Sequence, residues 1–229
     1  MLIVGLTGGI ASGKTTVSKM LKEQGAYLIE ADQIARELVQ PHTPAWKELV
    51  RRFGKEILTE NGSIHRKKLA GRIFSDPEQR RLLNRILHPR IYKEIRRRTE
   101  EIGRKDPDAI VVVDVPLLVE TRGHEEMDQV IVVTSTETQQ IERLKEREGT
   151  PVEEAKKILS AQVSGEGRLK VADFVIHNEG SLESTRRRTR EVFQELRRIA
   201  DPKNAQPLSP GHSKTRPRLK HQRGVKKDG

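Results

Sequence analysis

Residues 5 to 16 read GLTGGIASGKTT, directly after the apolar start MLIV. Within that stretch Gly8, Gly13, Lys14 and Thr15 satisfy the spacing G-x-x-x-x-G-K-[ST]. Each residue type has a physical task at its position. Glycines let main-chain N–H groups close around an anion with no Cβ in the way. The lysine carries one ammonium to the β and γ phosphates of a nucleotide, and the threonine offers a hydroxyl to Mg²⁺. The pattern points to a nucleoside triphosphate, ATP with Mg²⁺, cradled by Gly8, Gly9, Ile10, Ala11, Ser12, Gly13, Lys14, Thr15 and Thr16.

A phosphate loop by itself leaves switching, hydrolysis and transfer open. The chain has no guanine-reading N-K-x-D and no long signature segment of the ABC type. A small-molecule kinase remains, and it needs an acceptor pocket beside the loop and a lid that excludes water. Asp32, in EADQIAREL, falls just past a strand. There it can N-cap the next helix, accept the proton of an acceptor hydroxyl, or do both. Asp114 closes the apolar run AIVVVD and has two readings, a Mg²⁺ ligand acting through water or a turn aspartate. Pro116, Leu117 and Leu118 then form an apolar wall at the strand end, and His88 before Pro89 reads as a helix cap. Arg143, Lys145 and Arg147 have the pattern of a solvated helix face. Arg147, at the break before Gly149 and Pro151, is the residue able to swing over a transferring phosphoryl group.

Those residues need elements to hold them. Continuous apolar runs at Leu2 to Leu6, Ala26 to Ile29, Ala109 to Val115, Gln129 to Thr134 and Phe174 to Ile176 read as buried parallel strands. Between them lie helical patterns, one from Lys14 to Gln24 stopped by Gly25 and one opened by the capping-box pair Thr136 and Gln139. The predicted architecture is α/β, a three-layer P-loop kinase fold with a five-stranded parallel sheet. Its core takes residues 1–32 and 108–200, with a helical substrate-binding insertion at about 33–107 and a lid at about 147–165. Inside the insertion, DPEQRRLLNRIL and HPRIYKEIRRRTEEI read as separate helices, the first capped by Asp76 with Pro77 behind it.

The chain has 229 residues, 34% of them charged, and a net charge of +11. Residues 201–229 carry eight basic and two acidic side chains, a net +6 of that total, and too few apolar residues to order themselves. A basic tail binds polyanions nonspecifically, but seven aromatic residues in the whole chain offer no stacking set, so no specific nucleic acid is expected. The absence of cysteine excludes disulfides, thiolate catalysis and cysteine-bound zinc. MLIVGL is too short for a signal-peptide core and no run reaches membrane-span length, so the expectation is a cytoplasmic protein without a membrane partner, monomeric or a small homo-oligomer.

The order of GLTGGIASGKTT, ADQIARELVQP, GSIHRKKLAGRIF, LLNRILHPRI, VPLLVE, REGT with Ala161 and Gln162, and ADFVIHNEGS resembles the dephospho-coenzyme A kinase family from Leu2 to about Glu195. The resemblance implies ATP-dependent phosphorylation of the 3′-hydroxyl of the ribose of dephospho-coenzyme A. On it Asp32 matches the base at that hydroxyl, Arg147 the lid arginine, and Asn178 and Gly180 the segment that cradles adenine. It assigns acceptor contact to Arg66 and His88; Thr7, Pro116 and Leu117 are further acceptor-side candidates, and the metal candidates remain Thr15 and Asp114, the latter a position that is not uniform in the family. The alternative is another P-loop nucleoside or nucleotide kinase. Departures are Glu30 where the family often has aspartate, His42 where it has glycine, and Ile158 where many members have arginine.

Overall fold

The computed structural model describes residues 1–201. Strands β1 (Leu2–Gly8), β2 (Tyr27–Glu30), β3 (Ile110–Asp114), β4 (Gln129–Thr134) and β5 (Phe174–His177) form one sheet in the order β2-β3-β1-β4-β5. Every pairing is parallel. The chain leaves β1 toward one edge of the sheet and leaves β3 toward the other. Their C-terminal ends therefore flank the point where the connections diverge, which opens a crevice. The strands lie where the apolar runs place them, with β1 two residues longer because Gly8 still pairs beside Val133.

Alternate strand residues serve two layers. On one face Ile110 and Val112 join Val17 and Leu21 of α1 (Lys14–Glu23) and Val192, Phe193 and Leu196 of α9 (Leu182–Ala200). On the other, Val111 and Val113 meet Ile34 of α2 (Ala31–Leu38) and Ile95 of α5 (Pro77–Lys105). A third cluster lies off the sheet: Leu49 and Phe53 of α3 (Pro44–Phe53), Leu69 of α4 (Arg66–Ser75) and Ile86 of α5. The segment between β2 and β3 is thus helical with its own apolar centre.

Three local expectations are met in detail. Gly25 follows α1 at φ 101°. Asp76 accepts from Glu78 N and Gln79 N ahead of Pro77. Thr136 and Gln139 form a complete capping box on α6 (Glu137–Glu148), which ends at Gly149 with φ 69°.

Two expectations fail. His88 caps nothing, because the two helices expected around it are one 29-residue helix with Pro89 inside. Proline removes an N–H and crowds the preceding turn. Here the Arg90 guanidinium donates to the Ile86 carbonyl at 2.5 Å, and the helix packs on apolar clusters at both ends, so it continues. Asp32 is not an N-cap either. Helix α2 starts at Ala31, one residue after the strand, with Glu30 in the extended N-cap position. That leaves Asp32 exposed in the first turn, where its charge suits the helix dipole. His42, the departure from glycine, has φ 70°, which explains why a residue without Cβ suits that turn.

The segment between α6 and β5 holds α7 (Val152–Ser160) and α8 (Gly165–Leu169). No helix among the described residues is long and apolar enough to cross a membrane. The expectation for residues 202–229 of the tail lies outside the described residues.

Ion pairs tie α2 to α5. Arg98 donates Nε to Glu94 at 2.8 Å and pairs with Glu37, while Arg97 Nη2 reaches Glu94 at 2.7 Å. The Arg97 hydrogen bond, with Arg98 assisting, holds the Glu94 carboxyl down to about 2. A depressed folded value stabilises above the ordinary carboxylate range and is lost as pH falls through the folded value. Urea unfolding of Glu94→Gln is expected to show a deficit of roughly 0.5 kcal/mol at pH 7, given partial exposure. The deficit should close between about pH 4.5 and pH 2.

Candidate active site

The loop from Gly8 to Gly13 joins β1 to α1. Two of its residues are left-handed, Ala11 at φ 57° and Gly13 at φ 92°. Alanine in that region costs about 1–3 kcal/mol unless the surroundings enforce it. At Gly13 there is no alternative residue. A Cβ would lie 2.0 Å from Asn178 Nδ2, and the backbone conformation is already one that L side chains rarely adopt. Helix α1 begins here with no side-chain cap and no acidic residue in its first turn. Its N-terminal amides and dipole are therefore left for an external anion.

Three side chains from distant segments hold this loop in shape. Arg143 of α6 donates Nη1 to the Ala11 carbonyl at 3.1 Å and Nη2 to the Asn178 carbonyl at 3.0 Å. Asn178, just past β5, donates its amide to the Ser12 carbonyl at 2.9 Å and accepts from Thr185 Oγ1 at 2.9 Å. Gln162, between α7 and α8, accepts from Ile10 N at 3.0 Å. The strained Ala11 is the one whose carbonyl receives an arginine.

Lys14 pairs with Asp114 at the end of β3, the next strand in the sheet. Burial pushes the Asp114 carboxyl above the ordinary carboxylate range. Lys14 pulls it back, and the nearby charges of Asp32 and Glu30 raise it further. A buried carboxylate thus holds the loop's ammonium, ready to exchange it for a more negative ligand. Thr7 lies beneath, buried, donating Oγ1 to the Pro116 carbonyl at 3.2 Å, which fixes the turn after β3 to β1.

One cleft is lined by Gly8 through Thr16, Asp32, Pro116, Arg147 and Gln162. A second, largely apolar groove starts at the same Asp32 and runs along Val39, Leu49, Leu83 and Leu87, with Arg66 at its side. Asp32 therefore stands where a phosphate site and an apolar groove meet. Lys14, Thr15, Asp32, Pro116 and Arg147 are brought together, and Arg66 joins through the groove. His88 lies half-buried in the middle of α5, lining neither cavity, and burial lowers its imidazole below the ordinary value. Leu117 is exposed on the turn after β3. Gly180 is exposed between Asn178 and α9. The Asn178 amide is spent on Ser12 and Thr185.

Arg143 corrects the sequence reading of α6. It is half-buried and clamps the loop, whereas Arg147, one turn later, is 61% exposed and donates Nε to Glu148 at 2.9 Å. Arg143, like the buried Arg168, carries no local signal of its role, since charged residues are close by in sequence, and Gln162 lies in an uncharged stretch that names no partner. What singles them out is contact with the loop or with one another.

A parallel sheet with an uncapped phosphate loop at its point of divergence, and a carboxylate lining the same cleft, has the architecture of a P-loop kinase. The family model described as dephospho-CoA kinase matches residues 2–184. The dephospho-CoA kinase of Moorella thermoacetica is 44% identical over 202 residues, covering 88% of this chain and 95% of the relative. That of Corynebacterium glutamicum is 44% identical over 196 residues, covering 86% and 100%. Among solved structures, dephospho-CoA kinase from Campylobacter jejuni superposes with TM-score 0.66 at 26% identity, covering 87% and 98%. A Thermus thermophilus protein superposes with TM-score 0.71 at 30% identity, covering 85% and 97%. The chain belongs to the dephospho-CoA kinase family.

The Asp114 environment carries a stability cost with a definite sign. A raised folded value means the folded state holds the proton more tightly, so this contribution to stability falls as pH rises above about 3.8 through the folded value. In thermal melts without nucleotide, Asp114→Asn is expected to match or exceed the parent at pH 7, with the gap narrowing below about pH 4. A drop in melting temperature at pH 7 that persists at pH 4 would contradict this account.

Proposed function

We propose that the chain transfers the γ-phosphoryl group of ATP to the 3′-hydroxyl of the ribose of dephospho-coenzyme A, giving coenzyme A and ADP, the final step of coenzyme A synthesis. The observation that carries the reading is Asp32 at the junction of the phosphate cleft and the apolar groove. Such a groove suits an acceptor whose reacting ribose continues, beyond a diphosphate, into a long uncharged arm. Family membership supports the choice of acceptor over a free nucleoside or nucleotide.

In this reading the triphosphate lies on the α1 N-terminus, and Lys14 leaves Asp114 for the β and γ phosphates. The acceptor 3′-oxygen bonds to the γ-phosphorus while the bond from that phosphorus to the β–γ bridging oxygen breaks. The hydroxyl proton passes to the Asp32 carboxylate. Because the transition state is loose, Asp32 contributes mainly by orienting the hydroxyl. Arg147 exchanges Glu148 for the transferring group when the lid closes, offsetting the charge spread over its oxygens. Pro116 and Leu117 form the wall against which the acceptor rests, and Arg66 faces it from α4. Contacts to the adenine come from the backbone around Gly180, since the Asn178 amide is already engaged.

The donor set fits Mg²⁺. Thr15 presents a hydroxyl, Asp114 a carboxylate, and among the described residues no group of three or more His, Asp or Glu side chains forms a cage of its own. A small hard cation held partly by substrate phosphates and water needs no such cage. When bound it would supply charge neutralisation at the phosphates. We place the reaction in the cytoplasm, in line with the composition.

An ADP-release assay with dephospho-coenzyme A, AMP, CMP and nucleosides as acceptors tests the reading. Turnover is expected with dephospho-coenzyme A, with Lys14→Ala losing at least about 100-fold while remaining folded. Asp32→Asn should lower kcat by about 100-fold, the low end for acid–base catalysis, with little change in the KM for ATP. Robust turnover of a nucleotide with none of dephospho-coenzyme A would overturn it.

A further inference from the structure

Gln162 uses one oxygen twice. Its Oε1 accepts from Ile10 N at 3.0 Å and from Arg168 Nη2 at 3.0 Å. Both neighbours can only donate, so the amide has a single workable orientation. The same Arg168 nitrogen donates to Glu120 Oε1 at 3.2 Å. Glu120 lies in the turn that begins at Pro116, whose carbonyl takes the Thr7 hydroxyl. A continuous chain of polar contacts thus runs from the phosphate loop through the lid segment to the wall after β3.

Arg168 is an unusual residue to find there. It is 6% exposed, its Nε has no partner, and a single nitrogen serves both of its acceptors. Its guanidinium also lies against the loop, since a Cβ built on Gly9 would come within 3.4 Å of Nη1. A buried cation so sparingly bonded is a poor stabiliser. Apolar side chains of similar volume in place of both Arg168 and Glu120 would often serve the fold as well or better. What no apolar side chain could do is hold Gln162 and Glu120 at once.

We propose that Arg168 is a positioning residue that registers the phosphate loop, the lid segment and the acceptor wall against one another, so that donor and acceptor binding reinforce each other. The proposal rests on the donor and acceptor sites assigned above. Without Arg168 the Gln162 amide keeps Ile10 N–H as a donor partner and loses its tie to Glu120, so its hold on the loop loosens. The loop then samples shapes other than the one that fits phosphate. Misplacement of about 1 Å at such a site costs up to about 100-fold.

The test uses the full chain and two readouts: calorimetric Kd for Mg·ATP without acceptor, and KM for dephospho-coenzyme A at low and at saturating ATP. Arg168→Met is expected to weaken ATP about tenfold, with a lowered melting temperature because Glu120 is left unpaired. Gln162→Ala should weaken ATP to a similar degree, and the double variant should be no worse than the weaker single one, because both break the same chain. In the parent, saturating ATP should lower the KM for dephospho-coenzyme A, and Arg168→Met should abolish that dependence. Arg168→Lys keeps the charge but lacks the planar fork, and should not restore either effect.

Kd values within twofold of the parent in both single variants, additive effects in the double, or full rescue by Arg168→Lys would overturn the proposal. Should Arg168→Met fail to fold, Gln162→Ala combined with Glu120→Gln is judged by the same criteria. If the parent binds ATP but phosphorylates no dephospho-coenzyme A, the acceptor assignment fails, while the ATP affinities still decide whether Arg168 shapes the loop.

Discussion

A ring of main-chain amides shaped for phosphate cannot support itself. It has no regular ladder of main-chain hydrogen bonds to hold it, and its backbone needs left-handed residues, here Ala11 and Gly13. The rest of the molecule is arranged around that deficit. Sheet register brings β4 beside β1, the helix after β4 supplies Arg143, and the segment after β5 supplies Asn178. Gln162 completes the set from the lid side. The loop is therefore shaped before a ligand binds, and little of the binding energy goes into ordering it.

Electrostatics at the site show the same preorganisation with a cost attached. Burial opposes the charge on Asp114, and Lys14, seated against it, favours that charge. The pair holds the ammonium at the mouth of the loop, close to Asp32. A triphosphate, far more negative than one carboxylate, can draw Lys14 away over a short distance. Stability given up at Asp114 goes with an ammonium held beside the loop, a trade common at functional sites.

The acceptor side depends on a single helix. α5 packs its first half in the apolar cluster of the helical segment and its second half on the sheet, and Pro89 between them does not break it. Arg98 ties α5 to α2, and α2 carries Asp32 at its first turn. The carboxylate, the groove with Arg66 and the phosphate loop are thereby referred to one rigid element. Movement of the groove relative to the sheet has to involve α5.

Some of this was legible in residue order alone. The phosphate loop is written in twelve contiguous residues, and its chemistry follows from local spacing. Apolar runs located all five strands because a parallel strand buried on both faces must be apolar throughout. Capping residues placed the starts of α5 and α6, since a cap acts over three residues. The continuity of α5 through Pro89 was not legible, because a proline is judged locally while the packing that overrides it comes from both lobes.

Nor were the props of the loop legible. Arg143, Gln162 and Asn178 act across 132, 152 and 166 residues of sequence. Sequence by itself determined which anion chemistry this protein performs and the order of its strands and helices, because those rest on short-range spacing and burial. Only the tertiary structure decided which arginine clamps the loop, which one faces solvent, and how Arg168 joins Gln162 to Glu120. Such contacts exist only once the sheet has aligned segments that residue order keeps far apart.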